Sequence, residues 1–373
     1  MQEVSLILLA AGNSSRLNLP TKKQWLYTKN KPLWQFVADS FSDIYNFKDI
    51  IIVANSAEVK LMESFGDYRV VAGGEQREES LKNAISLIDT DYVMVSDVAR
   101  CCLDKDIILN LINKKEPNSC VVPAIKVPDT VYFDNKPIDR EKLLRVQTPQ
   151  LSHTKALKEI LDSKQGFTDE SSAFYSSGKR VIFIDGSNRA LKLTYQDDLK
   201  VLDCLQAPIN SPKSGYGIDI HPFEDAKAMV LCGVNIDSPF GFKAHSDGDV
   251  AIHAIIDALL GASALGDIGE LFPDTSSEYK NADSKELLKE VCTLVKGVGY
   301  EIVNIDITIL AQVPKISPYK EQMRATLANI LQINRNQINI KATTGEKLGF
   351  VGRKEGVTVH AIATLNYYNW SNI

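Results

Sequence analysis

Three of the chain's five histidines, His221, His245 and His253, share a short stretch with Asp219, Asp247 and Asp249. Imidazoles and carboxylates gathered this closely suit a divalent cation of the zinc type. If Gly215–His221 is a strand, its period of two puts Asp219 and His221 on one face and Ile218 and Ile220 on the other. The segment that follows reads as a helix, apolar nearly all round from Val250 to Leu260 and therefore buried. Yet Asp249, His253 and Asp257 recur one turn apart along it. Unpaired buried charge costs several kcal/mol, so this stripe must meet a metal or a network of partners. One Asp and two His from two elements make a zinc set, with the fourth position open to a phosphate oxygen. The alternative is a structural Asp–His pair, with Asp247 as the helix N-cap.

A second concentration of chemistry lies near the amino terminus. The apolar run Val4–Leu9 ends in Ala10-Ala11-Gly12-Asn13-Ser14-Ser15-Arg16, and Thr21-Lys22-Lys23-Gln24 follows soon after. Small residues let backbone N–H groups approach a triphosphate, and Arg16 supplies charge. The spacing is neither GxxxxGKS/T nor GxGxxG, which disfavours P-loop kinases and ordinary dinucleotide binders. A plain polar strand-to-helix loop is the alternative. Asp97 stands at the exit of another apolar run, Tyr92–Val95. There a carboxylate can hold Mg2+ with nucleotide phosphates completing the octahedron, or it can cap a following helix.

Such groups need rigid supports. At 373 residues the chain exceeds one ordinary core, so two domains are expected. With 44% apolar and 24% charged residues, nothing argues against folded cores. In the first 200 or so residues, apolar runs (Val4–Ala10, Ile50–Ala54, Tyr92–Ser96, Ser119–Pro123, Val181–Ile184) alternate with helix-length amphipathic segments. That order predicts an α/β domain with a mostly parallel, Rossmann-like sheet and ligands at the carboxyl ends of its strands. Between Gln206 and Gly217 Pro, Ser, Asn and Gly crowd together without apolar periodicity, which marks a connection. The expected division is 1–207, a linker at 208–214, and 215–373. In the second part, strand-like segments (Gly215–His221, Ile302–Gln312, Ile338–Thr343, Thr358–Leu365) mix with helical ones (Asp247–Gly261, Ser284–Lys296, Tyr319–Leu331) and predict an α+β domain.

A net charge of −5 provides no basic field for nucleic acid. The start, Met1-Gln2-Glu3-Val4, carries an acid where a signal peptide wants basic residues, and no stretch reaches the roughly 18 apolar residues of a membrane helix. A cytoplasmic protein is the expectation. Six cysteines (Cys101, Cys102, Cys120, Cys204, Cys232, Cys292) lack CxxC spacing, so buried thiols are expected in preference to disulfides or a thiolate metal site.

The segments 73–80 (GGEQREES), 95–100 (VSDVAR), 128–130 (PDT), 139–140 (DR), 148–150 (TPQ), 168–170 (TDE) and 191–194 (LKLT) appear in that order. The set resembles the 2-C-methyl-D-erythritol 4-phosphate cytidylyltransferase family over essentially the whole first domain. The resemblance implies Mg2+-dependent transfer of CMP from CTP to methylerythritol phosphate. Arg16, Lys23 and Lys192 would surround the α-phosphate, with Asp97 on the metal. Arg100, Thr130, Arg140 and Thr168 would hold the acceptor, and Ala10, Ala11, Gly12, Gly74, Arg77 and Ser80 would add substrate contacts. An arm near Thr130–Arg140 would make dimer contacts. The chain departs from the family at Asn13-Ser14-Ser15, where a second glycine and a further arginine are common, and at Arg100-Cys101, where Arg-Pro is usual.

The segments 245–249 (HSDGD), 265–269 (LGDIG) with Phe272-Pro273-Asp274, 311–315 (AQVPK) and 342–350 (ATTGEKLGF) resemble the 2-C-methyl-D-erythritol 2,4-cyclodiphosphate synthase family, from about Gly215 to Leu365. By that resemblance Asp219, His221 and His253 bind Zn2+. Glu346 holds a second ion, Mg2+ or Mn2+, between the phosphates of CDP-methylerythritol phosphate. His245 and Thr344 would steady those phosphates, and Asp267 and Gly269 would contact the methylerythritol unit. Pro314, Lys315, Phe350 and Arg353 would face the cytidine diphosphate, and Ser246, Phe272, Asp274 and Thr343 would add contacts. Trimers with sites between subunits are implied. Gly345 and Ser276 depart from the family pattern.

The two resemblances imply a bifunctional isoprenoid-precursor enzyme that joins non-consecutive steps. A homo-oligomer is expected, with the intervening kinase as a possible partner. The alternatives are a cytidylyltransferase for another polyol phosphate and a non-catalytic, metal-binding trimerisation scaffold.

Overall fold

The computed structural model describes residues 3–163, 166–244, 247–273 and 282–373. The chain divides into two compact units, Met1–Ala207 with Trp370–Ile373, and Pro208–Asn369.

In the first unit an eight-stranded sheet runs Leu144–Val146, Ser119–Lys126, Gln150–His153, Tyr92–Asp97, Val4–Leu9, Ile50–Ala54, Arg69–Ala72, with Arg180–Asp185 also paired to Ser119–Lys126. The central strands are apolar on both faces because helices cover both sides, which is the rule for parallel pairs. Val4–Leu9 runs parallel to both neighbours, and only Gln150–His153 and Leu144–Val146 pair antiparallel. The sheet is therefore mostly parallel. Its register sets Leu9 beside both Asp97 and Val53, so the loop that begins at Ala10 leaves the sheet at the same edge as Asp97.

Two expectations are corrected here. Cys102 and Cys204 form a disulfide, while Cys101, Cys120, Cys232 and Cys292 are buried free thiols. The sulfurs of Cys101, Cys102 and Cys204 lie within 4.8 Å of one another, yet the disulfide occupies two of them and leaves a single thiol. Trp370–Ile373, expected to end the second domain, belong to the first unit, where the Trp370 indole donates to the Tyr27 carbonyl at 2.7 Å.

The second unit is α+β. Its sheet runs Phe240–Phe242, Lys213–Asp225, Gly356–Tyr367, Tyr300–Leu310, Ile338–Thr343. The helix Val250–Ser263 packs onto the strand Lys213–Asp225. Gly215 and Gly217 permit that close approach, since a Cβ at either would collide with the carbonyl oxygens of Ala258 and Ala254. The opposite face of the same strand carries exposed Tyr216, Ile218 and Ile220.

Candidate active sites

A cleft of about 350 Å³ opens at the carboxyl edge of the first sheet. It collects Ala10, Ala11, Gly12, Arg16, Lys23, Gly74, Arg77, Ser80, Asp97 and Lys192. Asn13 and Ser14 of the same loop, and Gln76 of the segment 73–80, also line it. No helix follows Asp97 directly, so the capping alternative falls. Its carboxylate instead pairs with Lys192 Nζ at 2.5 Å and Arg77 Nε at 3.5 Å. Burial works to raise the Asp97 carboxyl, but these two cations outweigh it and hold its pKa below the ordinary value.

Arg77 is fixed from behind by Glu170, which is fully buried and accepts from Nη1 at 2.7 Å and Nη2 at 3.3 Å. Glu170 belongs to a matched motif, yet nothing in the sequence distinguished it from Thr168 as the buried partner. Lys23 donates to the Leu193 carbonyl at 2.5 Å. Burial, then the charges of Lys192 and Arg16, lower its pKa to about 8. The cleft is thus a nest of cations and small-residue backbone around one carboxylate, suited to a polyphosphate.

The other first-unit candidates lie outside this cleft. Arg100 lines a smaller neighbouring pocket and donates to the Ala190 carbonyl at 2.5 Å. Thr130 and Arg140 flank the exposed hairpin Val131–Phe133 and Lys136–Ile138, and Arg140 donates to the Pro128 carbonyl at 2.7 Å. Thr168 is exposed just before Asp169, the N-cap of the helix Glu170–Ser176.

In the second unit, strand alternation and the closely packed helix bring Asp219, His221 and His253 together. Asp219 Oδ2 lies 3.1 Å from His221 Nε2 and 3.1 Å from His253 Nδ1. Each histidine is oriented by its other nitrogen: His221 Nδ1 meets the Gly248 carbonyl at 3.1 Å, and His253 Nε2 meets Ser284 Oγ at 3.1 Å. Ser284 in turn donates to Asp247 at 2.5 Å. Imidazoles held from behind in this way, with their free nitrogens converging on one carboxylate, have the donor set and the outer support of a zinc site. Burial works to raise the Asp219 carboxyl, but hydrogen bonds from the two imidazoles take it well below the usual range. Burial lowers His253, and its bond to Asp219 more than reverses that, leaving its pKa raised.

The polar stripe divides three ways. His253 joins the cluster, and Asp257 accepts from the Ile268 N–H at 2.9 Å. Asp249, not Asp247, caps the helix, and its buried carboxylate accepts the N–H groups of Cys232, Gly233, Ala251 and Ile252.

Glu346 is exposed and accepts from Thr344 Oγ1 at 2.6 Å. It follows the strand Ile338–Thr343, three strand steps from the zinc candidates through Ile220–Thr358, Thr358–Leu310 and Leu310–Thr343. At about 4.8 Å per step, the strand positions Ile220 and Thr343 lie about 14 Å apart across the sheet. Thr343 ends that edge strand, whereas Phe350 and Arg353 precede the strand Gly356–Tyr367, with Arg353 paired to Glu355 at 2.8 Å and the Glu355 carbonyl accepting from the Phe223 N–H at 2.9 Å. Lys315 is exposed next to Pro314, whose peptide with Val313 is cis. Asp267 caps the short helix Ile268–Leu271 that contains Gly269, and Phe272 is buried beyond it. His245, Ser246 and Asp274 lie outside the described residues.

Residues 4–205 match the family model of 2-C-methyl-D-erythritol 4-phosphate cytidylyltransferase, and residues 213–366 match that of the YgbB family. A bifunctional enzyme IspD/IspF of Sulfurovum sp. is 54% identical over 99% of both chains. The chain belongs to the bifunctional IspD/IspF family. The Sulfurimonas denitrificans relative is 50% identical over 100% of this chain and 97% of its own. The solved bifunctional IspDF from Campylobacter jejuni superposes with a TM-score of 0.93 at 46% identity, covering 99% of this chain and 100% of that one. This IspD/IspF chain is therefore a two-activity enzyme of isoprenoid biosynthesis, a cytidylyltransferase followed by a cyclodiphosphate synthase. Both families are metal-dependent enzymes. Among the described residues no helix is long and apolar enough to cross a membrane.

Proposed function

We propose that the first-unit cleft transfers CMP from CTP to 2-C-methyl-D-erythritol 4-phosphate. The Asp219–His221–His253 centre, completed by a second copy of the chain, would close 4-CDP-2-C-methyl-D-erythritol 2-phosphate into the 2,4-cyclodiphosphate and release CMP. The observation that carries this reading is the pair of separate phosphate-suited centres, each assembled by its own unit.

In the first reaction a phosphate oxygen of the acceptor, already ionised at neutral pH, attacks the α-phosphorus of CTP and diphosphate leaves, so no protein base is required. Lys23, Arg16 and Lys192 bind and neutralise the triphosphate. Asp97 would hold Mg2+ with the nucleotide, and a bound ion would supply further charge neutralisation. Lys192 and Arg77 already pair with Asp97 and keep its carboxylate ionised for the ion it would hold. Arg100, Thr130, Arg140 and Thr168 hold the acceptor. The exposed Tyr132 and Phe133 beside them suit dimer contacts.

In the second reaction the 2-phosphate attacks the β-phosphorus of the same molecule, and two anions must be brought together. Asp219, His221 and His253 would hold Zn2+ and Glu346 would hold Mg2+ or Mn2+, supplying Lewis acidity and charge neutralisation when bound. Thr344 and Lys315 bind phosphate oxygens, and Asp267, Gly269, Phe350 and Arg353 hold the two ends of the substrate. The zinc candidates Asp219 and His221 sit on one strand and Glu346 follows another three steps across the sheet, an arrangement that suits a site shared between copies. The exposed apolar face of Tyr216, Ile218, Ile220 and Ile362 gives those copies a surface to share.

The test is a double dissociation. His253→Ala should abolish cyclisation and lower bound zinc while cytidylyl transfer persists, and Lys192→Ala should do the reverse. Loss of both activities in either variant would contradict the assignment.

A further inference from the structure

Glu58 is a buried carboxylate that plays no part in the chemistry above. It ends the short turn Ser56–Glu58 after the central strand Ile50–Ala54, its N–H donates to the Asn55 carbonyl at 2.8 Å, and it is 2% exposed. A carboxylate so buried needs donors. It receives them from one segment: Lys22 Nζ pairs with Oε1, and Gln24 Nε2 and Trp25 Nε1 reach Oε2 at 3.2 and 2.8 Å.

That segment carries Lys23. Gln24 passes the constraint onward, because Ser14 Oγ donates to Gln24 Oε1 at 3.4 Å and accepts the Lys23 N–H at 2.9 Å. Ser14 has a φ of +57°, in the left-handed region that a serine seldom adopts without local support. One rigid carboxylate anchored to the sheet therefore fixes both the turn that presents Lys23 and the bend of the Ala10–Arg16 loop. Glu58 itself is not among the residues that line the cleft.

We propose that Glu58 is a positioning residue for cytidylyl transfer, holding Lys23 and the phosphate loop in register for the triphosphate of CTP. This rests on the reading that CTP occupies that cleft. The acceptor side, built from Arg100 and the Thr130–Arg140 hairpin, is not tied to this network, so the effect should fall on one substrate.

The experiment uses the full chain. Glu58→Gln replaces an acceptor with an amide facing three donors, and Trp25→Phe removes a single donor while keeping a large ring. Both are checked for folding by near-UV circular dichroism and denaturant unfolding. In Glu58→Gln we expect kcat/KM for CTP to fall on the order of tenfold to a hundredfold, the acceptor KM to stay put, and Trp25→Phe to move the same way by less. Unchanged kcat/KM for CTP in folded Glu58→Gln, where Lys23→Ala has lost CTP turnover, overturns the positioning role alone. Full CTP turnover in Lys23→Ala overturns the reading of the cleft and the proposal with it. A parallel fall for both substrates that tracks the unfolded fraction reduces Glu58 to a stability residue and also overturns it.

Discussion

Lys23 sits where burial and two neighbouring cations oppose its charge, which brings its pKa down from 10.5 to about 8. A lysine serving a triphosphate must be protonated, so kcat/KM for CTP, which reports the free enzyme, should decline as pH rises through about 8. Lys23→Arg should push that decline to higher pH, and a pH–rate profile of both proteins decides it. For stability the sign is opposite. The unfolded chain keeps this proton up to about 10.5, so the lysine's contribution rises with pH between about 8 and 10.5. At this scale the sequence exposes residue types and alternation well. Asp219 and His221 were readable as one face of a strand, and small residues after Val4–Leu9 as a phosphate loop. Partners brought in from distant segments were not readable: Glu170 behind Arg77, Ser284 behind His253, and Glu58 beneath Lys22–Trp25 are 93, 31 and 36 positions away.

Elements place those residues, and the helix Val250–Ser263 shows how tightly. Its backbone lies against Gly215 and Gly217, and this contact brings His253 within reach of Asp219. Gly217→Ala should force the helix outward, cost roughly 1–3 kcal/mol of second-unit stability and lower zinc occupancy, measured by denaturant unfolding and metal analysis. Asp249→Ala should cost roughly 2–4 kcal/mol, because it strips the partner from two backbone N–H groups at a buried helix start and from two more in the turn at Cys232-Gly233. The two differ in kind: added zinc should restore much of the stability of Asp249→Ala, whose ligands remain in place, and little of Gly217→Ala. Periodicity located this helix to within three residues at each end, since a long apolar stretch has few other readings. It could not say which of Asp247 and Asp249 caps the helix. That depends on Cys232 and Gly233, contributed by another part of the sheet domain.

At the scale of the whole chain, what stayed hidden was closure over long sequence distances. The disulfide spans 102 positions, and its pairing follows from the fold, not from cysteine spacing. Reducing it should lower the stability of the first unit by about 2–5 kcal/mol and leave the second-unit transition where it was. The same blindness applies to the proposed division of the second site between copies. Asp219, His221 and His253 form one cluster, and Glu346 with Thr344 forms another after a strand three steps across the sheet. If each copy lends one cluster to its neighbour, the variants His253→Ala and Glu346→Ala should each be inactive in cyclisation yet complement one another. Coexpression would then rebuild some sites from the intact cluster of each variant. A mixed assembly that cyclises, where neither parent does, establishes the shared site. If the mixture is as inactive as its parents while size exclusion shows mixed oligomers, one chain must supply both clusters. Ile218→Glu, which places a charge in the exposed apolar face, should abolish cyclisation and assembly through that face together while leaving cytidylyl transfer to the first unit.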